Sequence, residues 1–348
     1  MAKTFSAARY LVATLVVFMA ASLAAIALPH DPYIRYQSLA GTMFERSRYY
    51  YERLTFDPTP VDVVVLGASR AAAGVSPPAL EAALRNQGLD FHVVNLGFPA
   101  AAMDVNVVEA REALRRHPRI RMMLVVVPDA FPRDGHAPFA ELATTGDIAH
   151  GHLLVNSELV RAAVRLPMRQ MYLFAATQYP QGFGFDRGFD ARTYPGSAIE
   201  QSTLPGWKPP VPAEGYYGPA HAKVLEGLSA RRHKELAGAR SPAVLTNLLT
   251  GVSRHSVDDL VALGKKTGTQ VVFVYIPYYG GTPEPQEAAW LRTRGPLWTI
   301  PEIRNNPVLY ADSGHTSPIA SPVVARWLAA NIKRQIGSGR ADAQKEKF

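Results

Sequence analysis

Four short β-branched runs, each stopped by a glycine or a proline, constrain the fold of this chain more than any other feature. They read "VDVVVLG" (61–67), "FHVVNLG" (91–97), "IRMMLVVVP" (120–128) and "TQVVFVYIP" (269–277). Runs this short and this continuously apolar suit strands buried on both faces, as in a parallel sheet. Helical stretches separate them. Ser76 followed by Pro77 supplies an N-cap with proline at the first helical position, opening a helix to about Gly88. Residues 103–117 and about 241–266 read as further helices. Near the end, "PVLYADSGH" (307–315) predicts a short strand and a loop. Ser321-Pro322 then predicts the cap of a last helix, with Val324, Trp327, Leu328 and Ile332 on one face. Strands and helices alternating in this way predict an α/β fold, a three-layer α/β/α sandwich around a mostly parallel sheet.

The chain around this core divides as follows. Residues 10–28, "YLVATLVVFMAASLAAIAL", run without a charge and are long enough to cross a bilayer core. Lys3 and Arg9 precede the run, which puts the amino terminus in the cytoplasm and everything after Pro29 outside. Residues 1–29 are therefore read as a cytoplasmic tail and single-pass inner-membrane anchor, with the remainder in a periplasm. The alternative is a signal peptide cleaved near "SLAAIA", releasing a secreted protein. Residues 30–60 form a juxtamembrane segment in which "FERSRYYYERL" predicts a helix whose tyrosines sit near the interface or on the domain. The α/β domain covers 61–336 and is interrupted at about 134–240 by a large irregular insertion rich in Gly, Pro and aromatics, with some helix near 152–175. The last residues, 337–348, read as a disordered tail.

Composition removes several chemistries. The chain has no cysteine, which excludes disulfides, zinc–thiolate sites, a cysteine nucleophile and a lipoprotein anchor. The net charge of +8 comes mostly from arginine and fits solubility with a mild attraction to anionic surfaces. No basic run is interleaved with aromatics, so nucleic acid is not expected as a partner. The histidines show no metal-ligand spacing, and neither a metal nor another cofactor is expected.

In open α/β sheets, ligands bind beyond the carboxyl ends of the strands. Four candidate groups fall there: Ser69 after the first strand, Asn95 and Gly97 after the second, Asp129 after the third, and Asp312 with His315 in the loop "DSGHTS". A carboxylate three residues before a histidine can hold its Nδ1–H, fix the tautomer and leave Nε2 outward as a base. Ser69 is the hydroxyl such a base would activate, and the three together suit acyl transfer. The backbone N–H groups of Ser69 and Gly97 are candidates for an oxyanion hole, with Asn95 as a further candidate. Arg70 reads either as an anionic-substrate ligand or as the partner of a carboxylate in the fold. Asp129 reads as a residue that holds a loop or caps the insertion.

These residues resemble the blocks of the SGNH/GDSL hydrolase superfamily. Gly67-Ala68-Ser69 is similar to its Gly-Asp-Ser block, Gly97 in "NLG" to its second-block glycine, and Asp312-Ser313-Gly314-His315 to its final Asp-x-x-His. The similarity covers about residues 61–130 and 268–335. Val126-Val127-Pro128-Asp129 stands where the third block, Gly-x-Asn-Asp, would lie, and Ala68 stands where hydrolases carry Asp. With its amino-terminal apolar segment the chain looks most like the membrane-anchored branch that modifies surface polymers, such as the alginate O-acetylation and teichoic acid D-alanyl-transfer proteins. The resemblance implies an SGNH-like, flavodoxin-like sheet with Ser69 as nucleophile, His315 as base and Asp312 as its orienting acid. It implies transfer of an O-acyl group, with acetyl the group expected, between an acyl donor and a polysaccharide acceptor. A membrane-bound O-acyltransferase is the partner it suggests. Two other readings stay open: a non-catalytic scaffold of a polysaccharide-modifying complex, and a lipid or small-ester hydrolase.

Overall fold

The computed structural model describes residues 2–100, 103–208, 218–238 and 243–345. Helix α1 (Ala2–Ile26) opens the chain, followed by α2 (Pro32–Gln37) and α3 (Ser47–Thr55). The α/β core then runs β1 (Val63–Gly67), α4 (Ser69–Gly74), α5 (Pro77–Arg85), β2 (Val93–Asn95), α6 (Met103–Arg116) and β3 (Met122–Val126). Five helices follow: α7 (Phe139–Leu142), α8 (Thr145–His150), α9 (Ser157–Gln178), α10 (Pro219–Gly238) and α11 (Ala243–Leu249). The chain returns to the core with α12 (Gly251–Thr267), β4 (Gln270–Tyr275), α13 (Ala288–Arg292), β5 (Leu297–Thr299) and α14 (Ser321–Lys345).

The five strands pair in the order β2-β1-β3-β4-β5, all parallel. The pleat sends alternate residues to opposite faces. Val64, Leu66, Met123, Val125 and Phe273 form one core with residues of α6 and α12. Val63, Val65, Leu124, Val126 and Val274 form the other with Leu80, Leu84, Val324, Leu328 and Ile332 of α5 and α14. Burial on both faces explains why the strand sequences are continuously apolar rather than alternating.

Three sequence expectations are corrected. The fifth strand is "LWT" at 297–299, whereas "PVL" at 307–309 forms a 3-10 turn capped by Asn306, whose side chain accepts from Val308 N. Pro307 at the first position of that turn has no N–H for a ladder, and Tyr310 makes only an isolated antiparallel bridge to Thr316. The insertion carries the helix expected near 152–175, as α9, and is more helical than expected beyond it, since α10 spans a further 20 residues. The final helix begins at Ser321 itself and runs to Lys345, through most of the expected tail.

Residues Ala7–Ile26 of α1 form a helix long and apolar enough to cross a membrane. The tyrosines of α3 turn inward: Tyr49, Tyr50 and Tyr51 are buried in the core beside α6. That core also holds a carboxyl. Glu109 on α6 is fully buried, and neither of its oxygens finds a hydrogen-bond partner among the described residues. Burial, aided by the charge of Glu112 and opposed by Arg35, raises it to about 8. A folded-state value above the unfolded one favours the fold fully below about pH 4 and loses that contribution as pH rises toward 8. Glu109→Gln is therefore expected to flatten the pH dependence. Thermal midpoints of the wild type should fall between about pH 5 and about pH 8 relative to those of the variant.

Candidate active site

β1 ends at Gly67, where φ is +148° and an added Cβ would lie 2.9 Å from Ala71 Cβ, Val126 Cβ and Val126 O. A residue without a side chain lets the chain turn this tightly into α4 against the end of β3. Ser69 is thereby placed as the first residue of α4, beyond the carboxyl edge of the sheet. β2 lies on one side of β1 and β3 on the other, so the strand order reverses at this point, the place where open α/β sheets bind ligands.

The loop after Tyr310 brings in the second half of the site. His315 Nε2 lies 2.7 Å from Ser69 Oγ, across 246 positions of sequence. His315 Nδ1 lies 2.9 Å from both carboxylate oxygens of Asp312. An ionised carboxylate only accepts, so Nδ1 carries the proton and Nε2 is left to accept the serine hydroxyl. Asp312 Oδ1 also accepts from the N–H groups of Gly314 at 2.7 Å and His315 at 2.8 Å. Burial pushes the Asp312 carboxyl up, but the His315 ring and these N–H donors outweigh it and hold the group below its ordinary value. The loop is closed by Ala311 N–H donating to His315 O at 2.9 Å and anchored by Tyr279 N–H donating to Ser313 O at 2.8 Å.

Arg70, next to the serine, ties the two halves together. Its Nε donates to Gly314 O at 3.2 Å. Its two terminal nitrogens pair with Asp129 Oδ1 at 2.7 Å and Oδ2 at 2.5 Å. Asp129, buried after β3, also accepts from Tyr275 OH at 2.9 Å and from Arg232 of α10 at 3.3 Å. Burial alone would raise the Asp129 carboxyl. The Arg70 guanidinium and the Tyr275 hydroxyl hold it below its ordinary value instead. Of the two sequence readings of Arg70, this geometry is that of a carboxylate partner.

No family model matches the chain, and no curated protein matches it. The chemistry of the site is therefore carried by its geometry.

Asn95 and Gly97 sit beside the serine, but their polar groups are already engaged. Asn95 Nδ2 donates to Ala71 O at 2.8 Å and Val75 O at 2.7 Å, and Oδ1 accepts from Gly97 N–H at 2.9 Å. The side chain braces the end of β2 against α4 and has no donor left for an oxyanion. Gly97's own N–H is spent on that brace, and its carbonyl accepts from Tyr50 OH at 2.6 Å. A Cβ at Gly97 would lie 2.8 Å from Ala72 N, so the glycine serves close packing against α4. The N–H of Ser69 remains: as the first of α4 it has no intrahelical acceptor and no partner among the described residues.

One side chain at the site was not foreseen. Trp207, from the insertion, places its ring 5.1 Å from that of His315 at an angle of 51°. Its backbone N–H donates to Met43 O at 3.1 Å, its backbone carbonyl accepts from Arg46, and the Arg46 guanidinium lies 5.8 Å from its ring centre. The segment before α3 thus holds an insertion aromatic over the histidine. "LPGWKPP" marks a tryptophan between turn residues, but nothing local signals its long-range contact. Among the described residues no group of three or more His, Asp or Glu is arranged to hold a metal ion.

Proposed function

We propose that the chain is a membrane-anchored, periplasm-facing serine acyltransferase or esterase of the SGNH type, acting on O-acyl groups of a cell-surface or exported polysaccharide. The observation that carries this reading is the unbroken hydrogen-bonded line from Ser69 Oγ through His315 to Asp312. A hydroxyl 2.7 Å from an imidazole oriented by a carboxylate is an activated nucleophile. The same distance favours catalysis over the scaffold reading, which would expect the serine out of reach of the base.

Ser69 Oγ attacks the acyl carbonyl and its proton passes to His315 Nε2. The tetrahedral oxyanion is met by the N–H of Ser69. The bond to the leaving group breaks as His315 returns the proton to it, leaving the acyl group on Ser69. A sugar hydroxyl, or water, then attacks the acyl-enzyme with His315 taking its proton, and Ser69 leaves as the protonated alcohol. Asp312 stays ionised and stabilises the imidazolium in both halves.

The test is to supply p-nitrophenyl acetate with and without an oligosaccharide acceptor. Acyl groups recovered on the sugar support transfer, and release to water alone supports the esterase form. No turnover and no covalent labelling of Ser69 would overturn both in favour of the scaffold.

Trp207 places an insertion ring beside His315, and a flat indole face there suits stacking on a sugar. Trp207→Ala is expected to raise KM for the acceptor roughly tenfold, a loss of about 1.4 kcal/mol. The rate of acyl-enzyme formation should change little. Steady-state kinetics with varied acceptor, beside single-turnover acylation, separate the two effects.

A further inference from the structure

Helix α9 carries an outward face that the fold does not cover. Leu159, Ala162, Leu166, Leu173 and Ala176 point into the protein. On the opposite side Val160, Val164, Met168, Met171 and Tyr172 point out, with Val164 at 75% and Met168 at 73% exposure. At about 100° per residue these five share one stripe. A helix that hides one apolar face and shows a second has a second environment to satisfy.

The position of α9 identifies that environment. α1 packs on α9, and Ala25 near the end of α1 is buried. Just beyond α1, Asp31 N–H donates to Thr177 Oγ1 at 3.0 Å. The exposed stripe therefore belongs to a helix that packs against the one long enough to cross a membrane. Tyr172 meets Phe183 edge to face at 5.3 Å beside this junction, and both rings are exposed. Aromatic rings of this kind concentrate at the headgroup boundary. Arg161 and Arg165 lie on the same side of the helix, are about half exposed or more, at 51% and 59%, and pair with Glu158 and Glu141. Long basic side chains there can keep their charge among anionic headgroups while their stems lie along apolar surface.

We propose that α9 lies in the plane of the bilayer surface, with its Val160–Tyr172 stripe in contact with lipid, as a second membrane attachment beside α1. This rests on reading α1 as a membrane span. It assigns the insertion a task besides covering the site: α9 fixes the orientation of the domain on the membrane, where one flexible tether would not.

The absence of cysteine makes the test clean. The full-length protein carrying Met168→Cys is labelled with bimane and reconstituted in vesicles of phosphatidylcholine and phosphatidylglycerol containing brominated acyl chains. Val16→Cys in α1 reports the span, and Lys333→Cys on α14, across the sheet, reports the exposed domain surface. The expected result is quenching at Met168 comparable to that at Val16, with little at Lys333. Quenching at Val16 but not at Met168 overturns the proposal and leaves the anchor intact. Shielding of Met168 from aqueous iodide without lipid quenching also overturns it, in favour of a protein partner on this face. Absence of quenching at Val16 overturns the span and the proposal together. Met168 is largely exposed, so the substitution leaves the fold undisturbed.

Discussion

Ser69→Ala is expected to abolish labelling of the protein by a serine-directed fluorophosphonate and to lower turnover on the order of a thousandfold or more. The size follows from what is lost. Without the hydroxyl there is no covalent intermediate, and His315 has nothing to deprotonate except water. In the proposed mechanism the three side chains act as a unit, so Ser69→Ala/His315→Ala should lose nearly the same activity as Ser69→Ala alone. Losses that add would mean that the 2.7 Å contact between serine and imidazole is not used in the reaction. Asp312→Asn tests the third member. An amide can face His315 Nδ1 with its N–H and reverse the tautomer, so a fall of about ten-thousandfold with the fold unchanged is expected. Circular dichroism beside the kinetics distinguishes that from unfolding.

The second large effect is expected at Asp129. Its carboxylate is the common acceptor for Arg70, Tyr275 and Arg232. Asp129→Ala leaves the Arg70 guanidinium, whose side chain is only 14% exposed, without its counter-charge. Removing one partner of a buried ion pair typically costs about 3–5 kcal/mol, most of it the penalty on the charge left behind. The double variant Asp129→Ala/Arg70→Met removes both charges and should be more stable than Asp129→Ala, as read from urea melts. Acid should narrow the difference between wild type and Asp129→Ala. The folded carboxyl titrates below its ordinary value, so its contribution is complete above about pH 4 and is lost as pH falls through the folded-state value. Activity should fall in Asp129→Ala as well, because Arg70 is also the side chain that holds Gly314 O and with it the histidine loop.

Strands buried on both faces write themselves into a sequence as unbroken β-branched runs, and β1, β2, β3 and β4 were legible for that reason. β5 was not. "LWT" is three residues long and lies at the sheet edge, half-buried rather than buried, between Pro296 and Pro301. The apolar letters in "PVLY" drew the strand expectation to a 3-10 turn instead. In the insertion α9 was legible near 152–175, although it carries Pro167 in its middle and apolar residues on its outward face. The 20-residue α10 was not legible.

At the site, Asp312 and His315 were legible because their relation is local, three residues apart in a loop before a helix. Ser69 was legible as the residue after a strand and its glycine. Arg70 and Asp129 were each singled out, but their pairing spans 59 positions and depends on the register of β1 with β3. The candidacy of Asn95 and Gly97 failed on a matter of orientation. Both lie where a donor would be useful, but the Asn95 side chain turns toward α4 and consumes Gly97's N–H. Which way an amide points is decided by the carbonyls it finds in the folded protein.

The separation of Ser69 from His315 along the chain has a consequence for biogenesis. Ser69 emerges early in synthesis and His315 emerges 246 residues later. The loop that bears the histidine is held by Tyr279, by Arg70 and by the packing of α14 on α5, all of which require the sheet to be assembled. Contacts between segments this far apart in sequence form late, after the entropy of closing the intervening chain has been overcome. A nascent or truncated chain that lacks the histidine loop therefore carries Ser69 without its imidazole partner. Under the proposed mechanism, reactivity toward a fluorophosphonate is expected to appear only when folding is complete.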